Sequence, residues 1–212
     1  MNGENNSKLI LQYDKLAVIV GALKTLNKVI VLLSGTWDLL HVGHCRYFRS
    51  AIEAVMKATG KTKKDVILIV GVDNDEEVKK RKGKFRPIVP QDERTEMLKY
   101  LEDIDYIVLK QEEEQSWVIG EIIKPDYLIL SESTTFINAG SREDMVQKLK
   151  EWAADVIILP PQATTSTTGK IRTLLTGTIV DVRTKFESVV REKFESIIED
   201  FSSFLNEISG GD

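Results

Sequence analysis

The chain has 212 residues, 42% of them hydrophobic and 29% charged, with a net charge of −4. That length buries one sizeable core plus an appendage, and the mildly acidic balance argues against a general nucleic-acid binder, which needs a basic surface. The single cysteine, Cys45, excludes an internal disulfide, reads as a small packing residue and fits a reducing cytoplasm.

Residues 1–13 read as a flexible N-terminus, without the basic-then-apolar pattern of a secretory signal. Asp14 can cap a helix from Lys15 to Leu26 whose apolar stripe is Leu16, Val20 and Leu23. Lys24, Asn27 and Lys28 interrupt the apolar run that follows, so no uncharged span of membrane length remains. A strand, Val29 to Leu33, feeds the turn Ser34-Gly35-Thr36-Trp37-Asp38-Leu39-Leu40, and His41-Val42-Gly43-His44 opens a helix that runs to about Thr59 and stops at Gly60. A buried strand, a small-residue turn and a helix start make an anion site, because the first amides of a helix lack intrahelical partners and its dipole favours negative charge there. Gly35 lets the backbone approach a ligand. His41 and His44, the only histidines, are three residues apart and share one face of the first turn, where they can hold two oxygens of one polyphosphate. An isolated H-x-x-H reads as one buried and one surface histidine; directly behind a strand and a Gly turn, the pair reads as a site.

The run from Gly35 to His44 resembles the G-x-F-D-x-x-H-x-G-H signature of the nucleotidylyltransferase superfamily, which includes cytidylyltransferases and heptose-phosphate adenylyltransferases. Trp37 stands where the family has Phe. The next strand, Val66 to Val72, ends in Gly71-Val72-Asp73-Asn74-Asp75, similar to the family's V-G-V-x-x-D, and places Asp73 at the carboxyl edge of the sheet, where open parallel sheets bind ligands. From Lys79 to Arg86 there are six cations in eight residues. Such runs are usually solvated faces, but Lys82-Gly83-Lys84-Phe85-Arg86-Pro87 resembles the family's K-G-x-x-R-P, which implies Lys82 at the β- and γ-phosphates and Lys84 and Arg86 toward the acceptor. Gln91 opens a helix with Met97, Leu98 and Leu101 toward the core; its Arg94 matches a family arginine that serves the phosphates or pairs with Asp92 or Glu93. Glu102 replaces a cation of the relatives' L-R-x-V-D segment.

Tyr106 to Leu109 is a strand, Ser116 caps a helix Trp117 to Ile123, and Tyr127 to Leu130 is the next strand. Ser131 to Phe136 lacks the Gly-Gly-Asp-Tyr-like segment of the heptose enzymes. Ser141 and Asp144 form a capping-box variant before a helix with Met145, Leu149 and Trp152 inward, and Val156 to Leu159 is the last strand. Ala163 to Ile171 resembles the family's S-T-T/S-x-x-I signature, implying that Ser166, Thr167 and Thr168 hold the γ side of a nucleotide at a second helix N-terminus. The β-α repeats predict a doubly wound five-stranded parallel sheet over residues 14–178, and no G-x-G-x-x-G follows any strand. Residues 179–212 form a C-terminal helical extension. Val190, Phe194, Ile197, Phe201, Phe204 and Ile208 recur at four, three, four, three and four, a stripe that predicts either docking on its own domain or a homodimer, the latter favoured.

The resemblance implies transfer of a nucleoside monophosphate, AMP favoured, from a triphosphate to a small phosphorylated acceptor such as a sugar phosphate, with release of pyrophosphate. Its implied catalytic groups are His41, His44 and Lys82. The implied nucleotide-binding set is Ser34, Gly35, Thr36, Trp37, Asp38, Gly43, Asp73, Arg94, Ser166, Thr167 and Thr168, with Asp38 ordering the turn. Mg²⁺ would ride on the phosphates without a protein metal site, and no nucleic acid or membrane is expected as partner. Alternatives are cytidylyl transfer to glycerol phosphate or an amino-alcohol phosphate, adenylyl transfer to flavin mononucleotide, and a nucleotide-sensing module without turnover.

Overall fold

The computed structural model describes residues 8–10, 12–111, 118–132, 141–164 and 167–209. The chain divides into two compact units, Met1–Thr164 and Thr165–Asp212. In the first, β1 (Leu9–Ile10), α1 (Tyr13–Thr25), β2 (Val29–Gly35), α2 (Val42–Thr59), β3 (Val66–Val72), α3 (Asp75–Lys82) and α4 (Gln91–Lys99) lead to β4 (Tyr106–Leu109). Then follow α5 (Val118–Ile123), β5 (Tyr127–Ser131), α6 (Arg142–Leu149) and β6 (Asp155–Leu159). All strand pairs are parallel, in the order β1-β4-β3-β2-β5-β6. The chain winds outward from β2 to β4, then returns to β5 on the other side of β2, so the turn after β2 sits at the topological switch point.

Side chains of β2 alternate between two layers, as the period of a strand requires. Val31 and Leu33 join the core beneath α2 with Phe48, Ile52 and Val55; Ile30 and Leu32 join the core beneath α1, α5 and α6 with Leu16, Ile119, Met145 and Leu149. Burial on both faces explains why the strands read as near-continuous apolar runs. The five expected strands are all present. A sixth was not expected: Leu9–Ile10, inside the stretch read as loose, pairs with Ile107 and Val108 at the sheet edge, and two residues carry no periodicity to betray them.

Other differences are local. Gln12, not Asp14, occupies the N-cap of α1, without a side-chain cap; Asp14 lies in the first turn, where its charge still suits the dipole. In α4, Leu98 is fully buried, but Met97, expected inward, is 50% exposed. The basic run starts as helix: Lys79 to Lys82 are the last turn of α3, with Lys79 paired to Glu76 and Lys80 to Glu77. Ser116, Trp117 and residues 133–136 lie outside the described residues.

The second unit contains α7 (Thr167–Ser209), one helix of 43 residues, so it crosses the boundary expected at residue 178. Phe186, Phe194, Phe201 and Phe204 are all more than half exposed along it. Among the described residues no helix is long and apolar enough to cross a membrane.

Candidate active site

The turn from β2 to α2 is built on tight geometry. Trp37 and Leu39 have positive φ, 56° and 47°, a region that side chains enter only when the surroundings hold them there. Several bonds do the holding. Trp37 Nε1 donates to the Gly71 carbonyl at 2.9 Å, and its ring packs on Phe48 with centroids 4.8 Å apart. Gly35 lies under that indole: a Cβ there would meet ring atoms at 2.9 Å, so a larger residue would displace the ring. Asp38 accepts from the Ile88 amide, from Val89 N at 2.9 Å and from Arg86 Nε at 2.9 Å. Burial raises its carboxyl pKa, but the Ile88 and Val89 amides and the Arg86 guanidinium outweigh that and hold it below the ordinary value.

Trp37 also supports the histidines, touching His44 edge-on at 5.5 Å and 83°. The rings of His41 and His44 are stacked, with centroids 4.0 Å apart. Gly43 N donates to His41 Nδ1 at 3.1 Å, and His41 N donates to His44 Nδ1 at 3.2 Å. A ring nitrogen that accepts carries no proton, so each Nε2 becomes the donor, on the side of the ring away from the backbone. Gly43 is needed for this approach: a Cβ would lie 2.8 Å from both His41 Cε1 and Ala163 Cβ.

One residue back, Thr36 joins the turn to a network of opposite charges. Its Oγ1 donates to Asp73 Oδ2 at 3.2 Å and accepts from Lys82 Nζ and from Arg81, each at 3.0 Å. Asp73 is bonded to Arg81 and, at 2.9 Å, to Lys110. Burial opposes its ionisation, yet those two cations overcome the penalty and hold it far below the ordinary carboxylate value. The Lys82 pKa is also lowered, here toward the neutral form: burial first, then Arg81 and Arg86, lower it, while Asp73 and Asp38 pull it back. Four cations, Arg81, Lys82, Arg86 and Lys110, thus surround two carboxylates, Asp38 and Asp73, and the surplus positive charge suits a polyanion.

The remaining expected residues fall in distinct places. Ser34 is the penultimate residue of β2, with its Oγ buried and without a hydrogen-bond partner among the described residues. Arg94 does not reach the open edge: its side chain is fully buried, paired with Asp75 at 2.7 Å and donating to the carbonyls of Thr36, Asp73 and Val89. It ties the carboxyl ends of β2 and β3 to α4, so its bearing on a nucleotide runs through Thr36 and Asp73. Lys84 is exposed, with Nζ 4.9 Å over the Phe85 ring. Thr167 and Thr168 open α7 in the second unit, and Ser166 lies outside the described residues. Arg81, read only as one cation of the basic run, and Lys110 were not among the expected site residues. Lys110 follows β4 immediately, and a cation just past a parallel strand is the one signal that pointed to it.

Among the described residues no group of three or more His, Cys, Asp or Glu is arranged to hold a metal ion. Asp38 and Asp73 are both engaged by basic side chains.

A doubly wound sheet that offers a histidine pair, a helix start and surplus cations at its switch point defines an enzyme that handles the phosphates of a nucleotide. The chain belongs to the cytidylyltransferase-like family, whose sequence profile matches residues 32–199. The match enters α7, further than the signatures read from the sequence. Relatives include Bifunctional protein HldE of Aliarcobacter butzleri, 36% identical over 129 residues, which are 61% of this chain and 25% of that protein. HldE of Geotalea uraniireducens is 32% identical over 164 residues, 77% of this chain and 31% of the relative. The chain thus spans about a quarter of the length of the curated relatives it matches. A crystal structure of the lipopolysaccharide core biosynthesis protein from Thermoplasma volcanium is similar at a TM-score of 0.47 and 22% identity, over 63% of this chain and 95% of that one.

Proposed function

We propose that the protein transfers AMP from ATP to a sugar phosphate. An acceptor phosphate oxygen attacks the α-phosphorus in line, the bond to the β-phosphate oxygen breaks, and pyrophosphate leaves; a phosphoanhydride forms and no covalent enzyme intermediate is needed. The observation that carries the reading is the pair of Nδ1 acceptor bonds that turn both His41 and His44 Nε2 donors outward at the start of α2. Two donors fixed before the substrate arrives stabilise charge developing on the α-phosphoryl oxygens without reorganisation. Lys82 neutralises the departing pyrophosphate; the resemblance also assigns Ser166, Thr167 and Thr168 to the nucleotide, and Lys84 and Arg86 to the acceptor. Because the acceptor brings an ionised phosphate, no general base is required. Mg²⁺ supplies charge neutralisation on the triphosphate itself.

The sugar-phosphate choice rests on the resemblance of Lys82 to Pro87 and of β3 to the heptose-phosphate enzymes, supported by the likeness to HldE proteins. Cytidylyl transfer is the second reading, favoured by the description of the matching family. A cytoplasmic homodimer joined through the apolar face of α7 completes the proposal. The test is pyrophosphate release from each of four nucleoside triphosphates against sugar phosphates, glycerol phosphate and flavin mononucleotide. Release with ATP and a sugar phosphate supports the reading. Release only with CTP moves the assignment to cytidylyl transfer, and triphosphate binding without release from any pair reduces the protein to a sensor.

A further inference from the structure

We propose that Arg81 is a further phosphate ligand, which grips with Lys82 the two phosphates that depart as pyrophosphate; the placement rests on the transfer reading above and adds a residue to its leaving-group side. Arg81 and Lys82 are consecutive in the last turn of α3, where neighbours point about 100° apart, yet both reach one atom. The Thr36 hydroxyl accepts from Arg81 Nη2 and from Lys82 Nζ, each at 3.0 Å, and donates to Asp73. With its proton and both acceptor positions committed, that hydroxyl holds two cations side by side at the turn that carries the histidines. The two repel, and Arg81 is among the groups that lower the Lys82 pKa. Like charges fixed on one oxygen are relieved by an anion that bridges them.

Arg81 differs from the other cations of the site in what it leaves open. Arg86 gives both Nε and Nη2 to Asp38, with its side chain 13% exposed, and Lys110 lies against Asp73, 10% exposed. Arg81 commits Nη2 alone, to Asp73 and Thr36, and its side chain is 46% exposed. A guanidinium carries five N–H groups in a planar fork, so those on Nε and Nη1 have no partner among the described residues, and a phosphate takes such donors in pairs. Asp73 fixes the plane of the fork before the anion arrives. Lys110, on the other oxygen of the same carboxylate, neutralises Asp73, so the charge of Arg81 is not cancelled by its own anchor. A buried carboxylate at the edge of a polyanion site thus carries two cations because one satisfies it and the other serves the ligand.

The test is calorimetric titration of the full chain with inorganic pyrophosphate and, separately, with AMP, in the parent and in Arg81→Gln, Arg81→Lys and Lys79→Gln, each confirmed as folded by its unfolding midpoint. Lys79, exposed on α3 and paired with Glu76, controls for the general field of the basic run. Arg81 at the leaving group predicts that Arg81→Gln weakens pyrophosphate binding at least about tenfold, as loss of a charge-assisted pair of hydrogen bonds should, while AMP binding changes little. Arg81→Lys, which keeps the charge and loses the fork, retains part of the affinity, and Lys79→Gln stays within about twofold of the parent. Pyrophosphate binding within about twofold of the parent in both Arg81 variants overturns the inference and leaves Arg81 as a structural partner of Asp73. So does an equal loss in Lys79→Gln, which would reflect only the general field, and an equal loss for AMP, which would move Arg81 to the transferred phosphate. A parent that binds pyrophosphate through Arg81 yet releases none from ATP with any acceptor contradicts the transfer reading alone, and a parent that binds no pyrophosphate overturns both.

Discussion

The turn after β2 and the helix α7 treat their groups in opposite ways. Around the turn, Asp38, Asp73 and Arg94 are buried and multiply bonded within one chain, and Trp37 is locked by one hydrogen bond and its contact with Phe48. Along α7, Phe186, Phe194 and Phe201 are exposed although burying each would stabilise the protein by about 2 kcal/mol. A segment whose bonds close on themselves is preformed for a small ligand, since binding then orders little. A segment with an open apolar face is completed by another surface.

That contrast predicts unequal sensitivity to substitution. Asp38→Asn leaves the Arg86 guanidinium without its counter-charge and weakens the bonds to two amides; loss of one partner from such a buried pair should cost about 3 kcal/mol. Denaturant unfolding checks this. Glu187→Gln, which removes the exposed Arg183 pair on α7, serves as the comparison and should stay within about 0.5 kcal/mol. Equal losses for the two variants would erase the distinction between the regions.

A smaller loss, about 2 kcal/mol at neutral pH, is expected for Asp73→Asn, because one of its two cations, Arg81, is partly solvated. The pH dependence has a definite sign. Asp73 is held far below its unfolded value, so its contribution is full above about pH 4 and fades as pH falls from there toward the depressed folded value. The parent should therefore lose stability on acidification by more than Asp73→Asn does. Asp105, raised by burial, works in the opposite sense in both proteins and cancels in the difference.

Lys82→Ala should raise the KM for the triphosphate about tenfold, since it removes one charge of several at the phosphates. Burial and its basic neighbours lower the Lys82 pKa, so kcat/KM should fall at high pH below the ordinary lysine range. Lys82→Arg should move that fall upward; an unchanged alkaline limb would remove Lys82 from the ionisations that matter. The smallest effect belongs to Lys84→Ala. An exposed ammonium over Phe85 should change the acceptor KM by no more than about threefold, with the difference vanishing at high salt.

How much of this was legible in the sequence follows from the range of the forces involved. Val66 to Val72 and the helix from the histidines to Thr59 were readable because apolar runs and an αL glycine at Gly60 act locally. The histidine turn was readable because strand, Gly and helix start are adjacent in the chain. The burial of Arg94 was not, since its partners are carbonyls at Thr36, Asp73 and Val89 that only the folded sheet brings together. Nor was the pairing of Asp73 with Lys110, 37 residues away. Met97 shows the limit of the helical stripe: α4 has only nine residues, too few turns to fix which edge of the apolar face turns inward.

The central claim is that His41 and His44 present fixed Nε2 donors to the α-phosphoryl group. Its most direct test is single-turnover pyrophosphate release from saturating triphosphate and acceptor in the parent and in His41→Ala and His44→Ala, with folding confirmed by the unfolding midpoint. The account predicts that each substitution slows release by ~10²–10³-fold while triphosphate binding changes little. Release within a few fold of the parent in either folded variant would contradict it.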